Sequence, residues 1–414
     1  MDFDDTPEQA AFRAEARRFI RENAPWAIHD QVRGLRFTGH PFADDSDAVR
    51  HARAWQARKF DAGFACLTWP TEVGGRGLGP VEDAIFQQEE GDFARLTDIF
   101  MIGQGMCAST LMHFASDVQK RHHLPRIGRG DEFWCQMFSE PGAGSDLAGV
   151  RTRAIKVGDG WLVTGQKVWT SGAHLSDWGT LLVRTDPDLP KHRGLTMLFV
   201  DMKSPGITVR PIRQIHGHVY FNEVFLDEVF VPDTQRLGGV NEGWRAALVT
   251  LNSERAAIGA ALPFGFDEVF ELAETWLEDG RPVVEAADVQ QRLADWYVKA
   301  NGIKFGVYRQ LSALANGIEP GPEAAAVKLV RGATTQDMAA YALDLLETRG
   351  LAPHADDRLR VIENLFCFGA QHRIEGGADE ILKNILAERV LGMPPEIRQD
   401  RDIPFKDVPT APRG

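Results

Sequence analysis

Two short stretches of this 414-residue chain have the composition of a ligand cradle. The first reads Phe138-Ser139-Glu140-Pro141-Gly142-Ala143-Gly144-Ser145-Asp146, and the second reads Gly165-Gln166-Lys167-Val168-Trp169-Thr170-Ser171-Gly172. A strand-like segment lies between them. Glycines and Ala143 let a backbone come close to a flat ligand and offer it N–H groups. Ser139, Ser145, Thr170 and Ser171 add hydroxyl donors, and Trp169 adds a flat apolar face. Such a set suits a planar ring carrying phosphates.

The elements around these stretches change period along the chain. A helix is expected from Thr6 to about Asn23, with Thr6 as N-cap, Pro7 at the first helical position and apolar residues at Ala11, Phe12, Ala16, Phe19 and Ile20. Helical patterns continue over 49–62, 81–90, 105–114 and 117–123. A turn-rich loop runs from Trp69 to Gly77. From about Phe133 short strands fit 152–157, 160–165, 179–184, 195–201, 208–211 and 219–231, separated by turns such as Gly158-Asp159-Gly160. The helical period returns from about Gly243 to Val390, with an acidic break around 278–285, and a charged, proline-containing tail follows Pro394. These patterns imply an α+β chain divided as 1–132 (helical), 133–235 (β), 236–395 (helical) and 396–414 (tail).

A hydrophobic content of 43% is enough for a sizeable core in two or three domains. A net charge of −13 argues against nucleic acid and against anionic membrane surfaces. Cys66, Cys107, Cys135 and Cys367 are widely spaced, with no metal-ligand pattern, and read as reduced thiols. The N-terminus is acidic without an apolar core, and no apolar run approaches a membrane span. Cytoplasmic localisation is the expectation, with no metal. His122-His123 reads as helix surface, and His216 and His218 as a β-loop.

Both cradle segments, in this order, resemble the acyl-CoA dehydrogenase family. So do Phe221-Asn222-Glu223-Val224-Phe225 with Val231-Pro232, Gly243-Trp244, Glu254-Arg255 and Ile374-Glu375-Gly376-Gly377. The resemblance runs from about residue 3 to 395. It implies an N-terminal helical domain, a central β-domain and a C-terminal helical bundle. It also implies FAD as cofactor and an acyl-CoA thioester as substrate, converted to the trans-2-enoyl-CoA. Electrons would leave to an electron-transferring flavoprotein. By the same resemblance, Gln136, Phe138, Ser139 and Ser145 hold FAD from the first segment, and Trp169, Thr170 and Ser171 hold it from the second. Ser145 also stands where the family meets the CoA pantetheine. Asn252 and Arg255 stand where it meets substrate or supports the base.

The implied chemistry removes a weakly acidic alpha proton, which needs a carboxylate in a dry pocket where burial raises its pKa. One branch of the family carries this base just before an Arg on the helix after the β-domain, which is Glu254 here. Another carries it in a Tyr-Glu-Gly-Thr pattern near the C-terminus, which is Glu375 here, but both the Tyr and the Thr are missing. Glu254 is favoured, with Glu375 as the alternative. Gly103 and Gly105 head the region that shapes the acyl cavity in the family, and either room for a bulky acyl group or helix packing would explain them.

The chain departs from homotetrameric members at the places where a neighbouring subunit completes the FAD site. Trp276 and Asp279 replace the expected Arg and Phe, and no Gly-Gly turn follows near 345–351. Glu278 and Asp279 would place negative charge toward a diphosphate. The pattern resembles the base-bearing subunit of α2β2 enzymes, several of which act on steroid side-chain thioesters. Two other readings stay open: a non-catalytic accessory subunit, and an oxidase or acyl-carrier-protein dehydrogenase relative.

Overall fold

The computed structural model describes residues 4–34, 46–260, 265–318, 321–346, 357–397 and 400–409. The chain forms two compact units. One comprises Met1–His29, His40–Glu254 and Glu396–Gly414, and the other comprises Asp30–Gly39 and Arg255–Pro395.

In the first unit, helices α1 (Pro7–Asn23), α2 (Ser46–Asp61), α3 (Pro80–Glu90), α4 (Ala108–Phe114) and α5 (Asp117–Arg129) precede a sheet. Thr6 caps α1 through a capping box with Gln9. The helical pattern stops at His123, before Pro125, yet α5 continues to Arg129 and ends on Gly130 at φ 81°. Burial of Leu124 and Ile127 in the core outweighs the hydrogen bond lost at Pro125. A π-helical turn, Ile102–Cys107, leads into α4.

The sheet contains β1 (Trp134–Met137), β2 (Arg153–Val157), β3 (Gly160–Lys167), β4 (Trp178–Arg184), β5 (Leu195–Asp201), β6 (Ile207–Arg213), β7 (Val219–Pro232) and β8 (Arg236–Leu237). Its order is β6-β7-β3-β2-β4-β5-β8, with β1 also on β4. β1 was not anticipated: four residues are too few to show a period. It runs parallel to β4, pairing Trp134 with Trp178 through to Met137 with Leu181. β2 meets β4 only at Arg153–Arg184. β1 and β2 thus share one neighbour, and the chain between them, residues 138–152, swings out of the sheet.

Alternation along β4 sends Leu182 to one face and Leu181 and Val183 to the other. Leu182 joins Leu111, Leu124, Ile127, Trp134, Met197 and Phe199. Leu181 and Val183 join Met137, Val163, Leu198, Val200 and Val224. Helix α6 (Gly243–Ala260) follows, and the boundary between the units falls within it, after Glu254.

The second unit holds α7 (Phe266–Thr275), a hairpin of β9 (Leu277–Glu278) and β10 (Arg281–Pro282), then α8 (Ala287–Ala315), α9 (Ala325–Leu346), α10 (Asp357–Gly369) and α11 (Asp379–Ile385). Its core gathers Val269, Leu272, Trp296, Met338, Ala342 and Leu365. The family fold read from the sequence, helices on either side of a β-domain, is the fold observed.

Candidate active site

The swing between β1 and β2 leaves the carbonyl of Leu182 without a strand beside it. Lys167, fully buried at the end of β3, fills the place. Its Nζ donates to the Leu182 carbonyl at 2.7 Å, to the Phe138 carbonyl at 3.0 Å and to Glu140 Oε1 at 2.9 Å. Glu140 also accepts the backbone N–H groups of Arg151 (2.6 Å) and Thr152 (2.8 Å). Burial works against charge on Glu140, but Lys167 and those N–H groups more than offset it, so the carboxyl lies below its ordinary pKa. The two cradle segments are joined again where the Val168 N–H donates to the Ser139 carbonyl at 2.9 Å. The sequence reading quoted Lys167 and Glu140 without giving them this role. Lys167 follows Thr164, Gly165 and Gln166 just past the strand read over 160–165, so its spacing gave no signal of a buried role.

From there the chain turns outward. Trp169 is 57% exposed and sits at φ 59°, a left-handed backbone that a bulky side chain adopts only under constraint. It is not a core aromatic, and its ring meets Phe221 edge-on at 5.8 Å. Asn222, fully buried, holds the next residues: its Nδ2 donates to the Thr170 carbonyl, and its own carbonyl accepts the Thr170 N–H. The Thr170 hydroxyl is buried and has no hydrogen-bond partner. Ser171 and Ser139 are half-buried, Phe138 is buried, and Ser145 is exposed beside Gly142 and Gly144. A Cβ on either of those glycines would meet nothing within 4 Å, so packing does not require them. A flat ligand lying close, with a polar edge, accounts for the orphaned hydroxyl, the presented Trp169 ring and these glycines together. The residues fit FAD.

Glu254 comes from α6. Small and hydroxyl residues bring α6 close to α4: Ala246 and Ala247 are fully buried, Thr250 and Thr110 hydroxyls lie 2.6 Å apart, and the Ser253 hydroxyl donates to Ser109 at 2.9 Å. At the end of that seam the Gln136 amide reaches Glu254 Oε2 at 3.5 Å. The structure therefore brings the favoured base to the β1 residue expected at the flavin. Glu254 is half-buried and Asn252 exposed. The Arg255 side chain lies outside the described residues. Arg245, on the same helix, lies over the Phe114 ring at 5.6 Å.

Glu375 has a different setting. Its carboxylate accepts from Gln371 Nε2 and lies against His372 Nδ1, both at 2.7 Å. Burial would raise its pKa, but His372, Gln371 and Arg331 bring it down to about 2. A carboxylate so well satisfied is a poor base at neutral pH.

Sequence profiles of the acyl-CoA dehydrogenase N-terminal, middle and C-terminal domains match residues 6–131, 135–229 and 241–391. Acyl-CoA dehydrogenase IpdE1 of Mycobacterium tuberculosis is 34% identical over 94% of this chain and 98% of its own length. The chain belongs to the acyl-CoA dehydrogenase family. It is accordingly an FAD-dependent oxidoreductase acting on acyl-CoA. Acyl-CoA dehydrogenase FadE34 of Mycobacterium tuberculosis is 40% identical over 81% of this chain, and the match spans 45% of that longer protein. Among solved structures, the Tcur3481-Tcur3483 steroid ACAD superposes with a TM-score of 0.79 at 28% identity, covering 96% of this chain and all of that one.

Other sequence expectations resolve around this acyl-CoA dehydrogenase. His122 is exposed, but His123 is buried, so the helix-surface reading fails for it. Glu132 supplies a third group near both histidines, all within 4.8 Å. Its Oε2 already engages His123 Nδ1 and accepts from Trp134 Nε1, each at 2.9 Å, as a structural network. A Cβ on Gly103 would meet Trp134 and Ile127 at 3.5–3.7 Å, ordinary van der Waals contact, so packing does not require a glycine there. His216 and His218 pair their rings at 5.2 Å in the β6–β7 turn. No helix among the described residues is long and apolar enough to cross a membrane. Burial pushes the thiols of Cys66, Cys107 and Cys135 up to about 12, so none is poised to react. Trp276 to Pro282 forms the exposed hairpin, turning on Asp279 (φ 49°) and Gly280 (φ 78°) and displaying Glu278 and Asp279 to solvent. Of the stretch 345–351, only Leu345 and Leu346 are among the described residues.

Proposed function

We propose that this chain performs the alpha,beta-dehydrogenation of a bulky acyl-CoA, of the steroid side-chain class, with Glu254 taking the alpha proton. The contact between Gln136 and Glu254 carries the assignment, because it sets a carboxylate from α6 beside the strand that leads into the first cradle segment. FAD, when bound, supplies the acceptor for the beta hydrogen. Gln136, Phe138, Ser139, Ser145, Trp169, Thr170 and Ser171 would hold it, and Ser145 would also meet the CoA chain. Asn252, two residues before the base on α6, is the residue we assign to substrate contact. The seam of Ala246, Ala247 and Thr250 holds the carboxylate in place, which matters because a proton is taken only within hydrogen-bond reach.

The steroid class is supported by likeness to the steroid ACAD, and the acceptor we assign is an electron-transferring flavoprotein in the cytoplasm. The hairpin at Glu278-Asp279 favours an α2β2 assembly in which a paralogous partner supplies the missing cationic contact to the FAD diphosphate. Two measurements test these assignments. In stopped-flow bleaching of bound flavin by substrate, Glu254→Gln slows the reaction at least ~100-fold, while Glu375→Gln slows it less. The opposite order moves the base to Glu375. Purified alone, the chain is colourless or weakly flavinated, and co-expression with the paralogue restores one FAD per heterodimer. A homotetramer with four tightly held FAD molecules would sink the assembly.

A further inference from the structure

Residues 400–409 pack on the β-domain with a defined register. Pro404 bridges to Pro190, the Phe405 N–H donates to the Leu189 carbonyl at 2.9 Å, and the Lys406 N–H donates to Pro187 at 3.0 Å. Two side chains carry the contact further. Phe405, 5% exposed, lies under the guanidinium of Arg184 at 3.8 Å, with Arg151 at 5.1 Å. Asp400 engages the ammonium of Lys191.

Both partners reach from the tail to the first cradle loop. Arg184 donates to the carbonyls of Ala148 (2.6 Å) and Val150 (3.4 Å) and, on its other arm, to that of Lys191 (2.7 Å). Burial draws the Arg184 pKa down to about 10, so it stays charged at neutral pH. Lys191 Nζ grips both oxygens of Asp146, at 2.9 and 3.0 Å. Burial alone would lower Lys191, yet its bonds to Asp400 and Asp146 hold it above its ordinary value. The loop's outer residues, Gly142, Gly144 and Ser145, are exposed and have little else to fix them. It is therefore anchored at 146 and at 148–150 by two cations, and each is seated against the tail.

We propose that Asp400–Pro409 is a strap that sets the Gly142–Val150 loop for its ligands, with Lys191 and Arg184 as positioning residues between them. This rests on the reading of that loop as the FAD and CoA cradle. Without the strap, Arg184 loses the ring beneath it, Lys191 loses one of two carboxylates, and the loop samples conformations in which its N–H groups no longer converge. Binding weakens because ligands must then order the loop themselves.

The test uses the full chain, with its paralogous partner if FAD retention needs one. Asp400→Asn and Phe405→Ala are compared with Lys406→Gln, whose pair with Asp188 is exposed. Hydrogen exchange of amides 142–150 and the dissociation constants of FAD and free coenzyme A are measured for each. Expected are exchange faster by about 10-fold in that segment and correspondingly weaker binding for the first two variants, with neither change in the third. Unchanged exchange in both variants overturns the strap. Faster exchange with unaltered binding of both ligands shows that the strap exists but the loop is not the cradle, which overturns its ligand role. Asp400→Asn, isosteric and near the surface, decides the matter if Phe405→Ala loses its cooperative melting.

Discussion

Lys167 is a single side chain that closes a gap in a sheet and joins both halves of the ligand cradle. Replacing it with methionine keeps much of the volume but leaves the buried Glu140 carboxylate without its counter-charge and takes a donor from the Phe138 and Leu182 carbonyls. Breaking one partner of a buried pair costs about 3–5 kcal/mol. Lys167→Met is therefore expected to lower the denaturation midpoint by that order and to reduce FAD retention, and urea unfolding with flavin absorbance reads both. At this scale the sequence reading named the two segments that the Val168–Ser139 hydrogen bond joins. Ser139, Trp169, Thr170 and Ser171 lie on two segments that the structure brings together. Lys167 and Glu140 escaped notice because their role depends on which carbonyls the sheet leaves unpaired, and that is a property of strand pairing.

At the scale of elements, strands β2 to β7 were legible because apolar alternation and Gly, Asp and Pro turns punctuate them. β1 was too short, and α5 ran past Pro125 because the core rewards Leu124 and Ile127. The pairing of α4 with α6 was invisible, since Ala246, Ala247 and Thr250 look unremarkable until their closeness to Ser109 and Thr110 is seen. That seam gives the element-level prediction. Ala247→Leu overpacks a closely approached interface and costs about 1–3 kcal/mol of stability. Because the same helix carries Glu254, bleaching by substrate is expected to slow by more than that destabilisation explains. Equal stability loss with full bleaching activity would show that the seam does not position the base.

At the scale of the whole molecule, the second unit carries a carboxylate whose charge makes stability depend on pH. Glu375 in the second unit has its pKa depressed to about 2, from about 4.3 in an unfolded chain. A depressed carboxylate stabilises fully above the unfolded value and loses that contribution as pH falls through the folded one. The window is thus roughly pH 4.5 down to 2. A quarter or so of this side chain meets solvent. Glu375→Gln is accordingly expected to cost roughly 1–2 kcal/mol at neutral pH and to flatten the acid limb of stability in that window. Thermal melts from pH 7 to 2 measure both.

The chain between β1 and β2 leaves one strand pairing and must rejoin another on the same neighbour. Its two ends are fixed in register, at Met137–Leu181 and Arg153–Arg184. A residue inserted or deleted on either flank, before Glu140 or after Asp146, has to be absorbed by breaking one of those pairings or by displacing Glu140 from Lys167 or Asp146 from Lys191. Length is therefore constrained on both flanks of this loop, whereas the exposed positions between Pro141 and Asp146 are constrained by the ligand they face. Divergence of ligand preference at this site therefore falls to the exposed tip, while its flanks keep their size.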